Sequence, residues 1–130
     1  RRGGIVVGAG NAPGGVMNDD TVVSNNIIIH NYGPAIEEYG HTGTHNRYLN
    51  NLVFANVSGI ELQNGLTARG TLTADPGLVN YQSNGRGNYH LKAGSPCINA
   101  GVRTGVPSID FAGISRLQGG VDIGPYTYVL

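Results

Sequence analysis

The chain is poor in several things that usually carry function or stability. It has one cysteine, Cys97, in 130 residues, which excludes an intramolecular disulfide and any metal site built from several thiolates. Charged residues make up only 12%, and eight basic side chains balance eight acidic ones. No net field therefore draws the protein to nucleic acid, to an anionic membrane or to a polyanion, and a charged ligand would have to be held locally. No apolar run approaches the roughly 20 residues of a membrane-spanning helix. The arginines of "RRGGIVVGAG" lead into no signal-peptide-like apolar core. Helical pattern is scarce too: no segment keeps a 3.6-residue apolar period over a useful length.

Glycine and asparagine are abundant instead. There are 22 Gly and fourteen Asn, the former more than twice the usual share of about 7%. Short strands joined by many turns are the expected result. The length suits one domain that buries roughly two-thirds of its unfolded surface.

Internal repetition organises these strands. "NNIIIHNYGPAIEEYG" (25–40) and "NNLVFANVSGIELQNG" (50–65) share one template, offset by 25 residues: Asn-Asn, three apolar residues, a variable residue, Asn, a short turn, a second strand and Gly. "GGIVVGAG" (3–10) fits the template's last part, so three successive units are visible. A unit this small cannot bury its apolar face alone. Stacked on its neighbours it can, each strand pairing in parallel with the equivalent strand one coil away. The expected architecture is all-β, a parallel β-helix of about three coils over residues 1–73. Asn25, Asn26, Asn50 and Asn51 then serve the backbone at coil corners, where Asn tolerates left-handed angles and its amide bonds the coils above and below. Asn56, although within a formal "NVS" glycosylation acceptor, belongs to the same template.

The second half has a different texture. "ADPGLVNYQSNGRGNYHLKAGSPCINAGV" and "IDFAGISRLQGGVDIGPYTY" are too rich in turn formers for regular coils. With the repeats, they make the chain resemble the right-handed parallel β-helix proteins of the pectate-lyase-like superfamily, whose secreted bacterial members end in a similar closing segment. Residues 74–130 are expected to fold back over the last coil as an irregular cap of the same domain, anchored by Leu91, Ile98, Ile109 and Ile123, because an open β-helix end exposes unpaired strand edges. Asp75, Asp110 and Asp122, near Pro or Gly turns, are expected to cap backbone N–H groups. Cys97 reads as a small buried apolar residue rather than a nucleophile. "RRGGIVV" reads as the middle of a coil, so the N-terminal coil is expected to be covered by preceding residues or by another copy.

Aligning the second strand of each unit puts Ile5, Ile36 and Ile60 in one inward column. Glu37 and Glu61 then share an outward column, with Tyr39 and Gln63 beside it, while Glu38 falls inward opposite Val7 and Leu62. A buried carboxylate needs a cation or hydrogen-bond donors. His30, Tyr32, His41, His45, Arg47 and Tyr48 flank the outward face, which becomes the richest polar and aromatic region of the chain.

The resemblance implies an extracellular or periplasmic protein that lays a polysaccharide along this face. Tyr39, Glu61, Gln63, His30, Tyr32, Arg47 and Tyr48 are the substrate-binding candidates: rings stack on sugars while carboxylates and amides bond hydroxyls. Three readings stand side by side. The first is a non-catalytic carbohydrate-binding module linked to degradation of plant cell-wall polysaccharide. The second is the C-terminal portion of a lyase or glycoside hydrolase, with Glu37, Glu38 and His41 as catalytic candidates; the third is a structural or adhesive repeat. A glycosidase needs two carboxylates about 5 to 9.5 Å apart, a separation that neighbouring coils allow. A lyase would typically add Ca2+ and a Lys or Arg base, yet the one lysine, Lys92, lies in the closing segment and no complete lyase or hydrolase motif is present. "NDD" (18–20) is the other acidic cluster. "HTGTH" (41–45) contains a Gly and reads as a turn, so His41 and His45 are not expected to bind a metal as a helical pair, and no metal ligand is assigned.

Overall fold

The computed structural model describes residues 3–10, 14–117 and 119–130; Arg1 and Arg2 lie outside that range. The protein is all-β, with nine strands and no helix among the described residues. The first seven strands are β1 (Ile5–Gly10), β2 (Val22–Ser24), β3 (Ile27–Ile29), β4 (Pro34–Gly40), β5 (Arg47–Leu49), β6 (Leu52–Phe54) and β7 (Ser58–Glu61). All pair in parallel, in the orders β1-β4-β7, β2-β5 and β3-β6. Residues 69 and 72 continue the last two rows through bridges Leu49↔Arg69 and Leu52↔Leu72.

The corners follow the repeat. Asn25 and Asn50 adopt left-handed backbone angles, φ 61 and 53°, which asparagine tolerates better than most residues. His30 and Ala55 do the same at the next corner, φ 60 and 57°, although neither residue type announces it. Asn26 donates its backbone N–H and its side-chain amide to Asn51 Oδ1, at 3.0 and 3.1 Å. Asn31 does the same with Asn56 Oδ1, at 3.1 and 2.8 Å. Each ladder joins groups 25 residues apart and satisfies buried backbone groups that the corners leave unpaired.

The register in the first row is Ile5↔Ile36↔Ile60 and Glu37↔Glu61, with Val7 opposite Glu38, as the repeat predicts. β1 bulges between Val7 and Gly10. There the backbone of Gly8 (φ 147°) runs so close to the Tyr39 carbonyl that a Cβ would sit 1.9 Å from its oxygen, and only glycine fits.

Two apolar cores lie on either side of the β3-β6 sheet. Val7, Val23, Ile28, Ile36, Tyr48 and Val53 make up the first. Leu52, Leu91, Cys97 and Ile123, with Ile27, Ile29 and Phe54 against them, fill the second. "III" and "LVF" are therefore continuous apolar runs because both of their faces are covered. Burying one such side chain fully contributes about 1.5–3 kcal/mol.

The closing segment does not lie where the sequence suggests. It contributes an antiparallel hairpin, β8 (Leu78–Asn80) with β9 (Asn88–Leu91), and packs along the side of the coils. Asn25 Nδ2 donates to Val102 O while Asn25 Oδ1 accepts from Val102 N–H, both at 2.8 Å; Asn50 Nδ2 reaches Ala100 O, and Gly124 N–H reaches Asn25 O. The hollow under the last coil is lined by Val53, Ile60, Leu62, Leu66 and Ala68, with no residue beyond Thr73. The apolar side chains Ile27, Ile29 and Phe54 of β3 and β6 receive the segment, packing against Leu91, Cys97 and Ile123. Of the four expected anchors, Leu91 and Ile123 are buried, Ile98 packs partly buried against the same core, and Ile109 is 55% exposed.

Asp75, Asp110 and Asp122 do cap backbone N–H groups. Asp75 accepts from Gly77, Asp110 from Ala112, Ile114 and Thr127, and Asp122 from Asn99 and Tyr128. Cys97 is fully buried. Burial pushes its thiol up, the hydrogen bond with Ser95 partly offsets this, and proximity to Asp122 adds a lesser upward push; an inert thiol results.

Candidate functional site

The two glutamates named as catalytic candidates are both buried. Glu38 points inward from β4 and is 6% exposed. Its Oε2 accepts from the Tyr48 hydroxyl at 2.7 Å and from Asn46 Nδ2 at 3.0 Å, and its Oε1 accepts from Gln63 N–H at 2.8 Å. The inward carboxylate thus has donors from the same coil and the next, which is how the anomaly in the apolar column is resolved. Glu37 sits in the outward row, yet it is only 3% exposed, whereas its row neighbours Val6 and Glu61 are exposed. The expectation of a solvent-facing Glu37 is corrected: its outward register does not bring it to the surface.

Tyr48 is a second correction. Strand alternation in Arg47-Tyr48-Leu49 turns it inward beside Val23, where it is 1% exposed. Burial, then its bond to Glu38, raises the phenol well above its usual value, so it stays a neutral donor to that carboxylate. Gln63 is also engaged internally. Its Nε2 donates to Gly40 O at 3.2 Å and to Thr42 Oγ1 at 3.0 Å, which makes it a link between turns rather than a group held out for ligand.

The remaining candidates are scattered. Tyr39 is 49% and Tyr32 81% exposed. Glu61, exposed, accepts from Ser58 Oγ at 2.6 Å. His41, also exposed, has Nδ1 3.5 Å from Gly15 O. His30 leaves this face altogether and leans on Tyr81 of the closing segment, with ring centroids 4.7 Å apart. Arg47 lines a separate concavity of about 640 Å³ with Arg69, His45 and Asp20. The sheet β1-β4-β7 therefore presents Tyr39 and Glu61 to solvent.

A grouping the sequence reading missed lies one coil apart at the edge. Asp19, Asp20 and His45 bring ligand-type atoms within 4.8 Å of one another. Asp19 Oδ2 is 2.8 Å from His45 Nδ1, and Asp19 Oδ1 accepts His45 N–H at 2.8 Å. The bond to Asp19 raises the His45 pKa, and the same bond holds Asp19 below the usual carboxylate range. The 25-residue offset brings "NDD" beside "HTGTH" without naming the pair, since Asn18 bridges Thr42 in parallel while Asp19 meets His45, 26 residues on. The donor set does not suit Ca2+, which takes six to eight oxygens, because both Asp19 oxygens are already committed to His45.

Comparison of the chain with protein family models, with curated proteins and with solved structures finds no match.

Proposed function

We propose that this chain is a non-catalytic, carbohydrate-recognising module built as a right-handed parallel β-helix of the pectate-lyase-like kind, acting outside the cytoplasm on plant cell-wall polysaccharide. The observation that carries the reading is the contrast between buried acids and exposed rings. Glu37 and Glu38 are withdrawn from solvent while Tyr39 and Tyr32 stand out in it. A general acid or nucleophile must reach its substrate; a binding surface needs rings and hydroxyl partners instead. The β-helix reading is supported by three parallel rows and by asparagine ladders at a 25-residue offset.

The test is incubation of the purified chain with pectate, xylan, alginate and β-glucans, with and without Ca2+, scoring gel retardation and product release together. Retardation without new reducing ends or unsaturated products is the expected result. Product release would make the chain an enzyme and overturn the non-catalytic reading. Failure to retard any polymer would remove the carbohydrate.

A further inference from the structure

A concavity of about 540 Å³ lies between the corner at Ser24–Ile27 and the closing segment at residues 105–111 and 124–125. That volume is within the range of about 300–1,000 Å³ usual for small-ligand sites. One wall is Phe111, 81% exposed. Its position is nonetheless fixed. The ring meets Tyr126 edge-on, centroids 5.8 Å apart at 79°, and Tyr126 stacks on His90 at 3.8 Å and 15°. Phe111 N–H donates to Pro125 O, and Asp110 just before it is held by three backbone donors. An aromatic face is thus presented to solvent without needing to be ordered on binding.

The charges in the concavity are used up by the protein. Arg116, 6% exposed, donates to the carbonyls of Asp122 and Gly124, and the oxygens of Asp110 take the N–H groups of Ala112, Ile114 and Thr127. One cation and one anion, each already hydrogen-bonded, favour an uncharged ligand. Ser24 lines the concavity, and a serine hydroxyl can both donate to and accept from a ligand hydroxyl. An uncharged ligand with a ring face for stacking and hydroxyls for bonding is a neutral saccharide.

We propose that this concavity is a binding site for a short neutral oligosaccharide, with Phe111 as its stacking wall and Ser24 as a hydroxyl partner. The site is separate from the sheet face that carries Tyr39, and the proposal rests on the carbohydrate reading above. The experiment titrates the full chain with β-linked glucose and xylose trisaccharides by calorimetry, alongside polymer retardation, for wild type, Phe111→Ala, Phe111→Tyr and Tyr39→Ala. Phe111→Ala is expected to weaken trisaccharide binding at least tenfold, about 1.4 kcal/mol, with an unchanged melting temperature because the ring is exposed. Phe111→Tyr keeps binding within about twofold, since a phenol stacks as well. Tyr39→Ala leaves trisaccharide affinity intact. Unchanged affinity in Phe111→Ala, or a loss confined to Tyr39→Ala, overturns the site. Wild type that retards polymers but binds neither trisaccharide also sinks it while sparing the broader reading; wild type that binds no glycan removes both.

Discussion

The coils and the closing segment bury polar side chains of different kinds. Inside and at the corners of the coils they are amides: Asn26, Asn31, Asn46, Asn51 and Asn56 make the internal hydrogen bonds. In the closing segment the buried carboxylates of Asp110 and Asp122 collect backbone N–H groups. Stacking explains the difference. In a repeat, each side chain meets its own counterpart one strand spacing away, about 4.8 Å. An amide both donates and accepts, so a column of amides satisfies itself, whereas a carboxylate only accepts and would meet another negative charge. A non-repeating segment has no such counterpart, and one carboxylate can gather several converging N–H groups. Glu37 and Glu38, both buried on β4, depart from this pattern, and the surroundings of Glu38 show how. Its column neighbour Val7 is apolar, and Tyr48, Asn46 and Gln63 supply its donors.

Exchanging the two chemistries breaks this contrast most severely in the coils. Asn51→Asp keeps the acceptor for Asn26 but turns the donor facing Val23 O into an oxygen, at a position 1% exposed. The expected loss is about 3 kcal/mol, read as a lower urea midpoint.

The converse change, Asp110→Asn, is expected to cost about 2 kcal/mol near neutral pH, because a donor then opposes the Thr127 N–H. Its pH dependence sharpens the comparison. Burial alone would raise the Asp110 carboxyl, but the backbone donors outweigh it and hold the pKa below the usual range. A group depressed in the folded state gives stability that is present above its unfolded value near 4 and is lost as pH falls through the folded value. The gap between wild type and Asp110→Asn should therefore narrow in acid, as followed by denaturation at a series of pH values.

The smallest effect belongs to the exposed edge. Asp19→Asn is expected to leave the melting temperature unchanged, because surface ion pairs contribute little. By NMR it should bring the His45 titration down towards the ordinary histidine value.

The outline of the coils was legible because the repeat imposes it. Asn-Asn followed by three apolar residues fixed the corners, the parallel register and the inward column of Ile5, Ile36 and Ile60. It also identified Glu38 as a buried acid in need of donors. The site was legible only in part. Alternation says which way a side chain points and not what lies over it, so Glu37, turned outward and yet buried, was misread. Tyr48 was counted as a surface ring from its polar neighbours, although its place in β5 turned it inward. The pairing of Asp19 with His45 joins two turns 26 residues apart, which the 25-residue offset does not name.

The sequence by itself determined the local periodicity: strand length, corner residues, the parallel partner of each strand and the polar type that a stacked column tolerates. Those depend on neighbours at a fixed offset, and the offset is written in the chain. Only the tertiary structure decided where residues 74–130 pack, because Ile27, Ile29 and Phe54 meet Leu91, Cys97 and Ile123 across a separation that no fixed offset in the chain records. From the same packing came the second core and the exposure of Phe111 beside a coil corner more than eighty residues earlier in the chain.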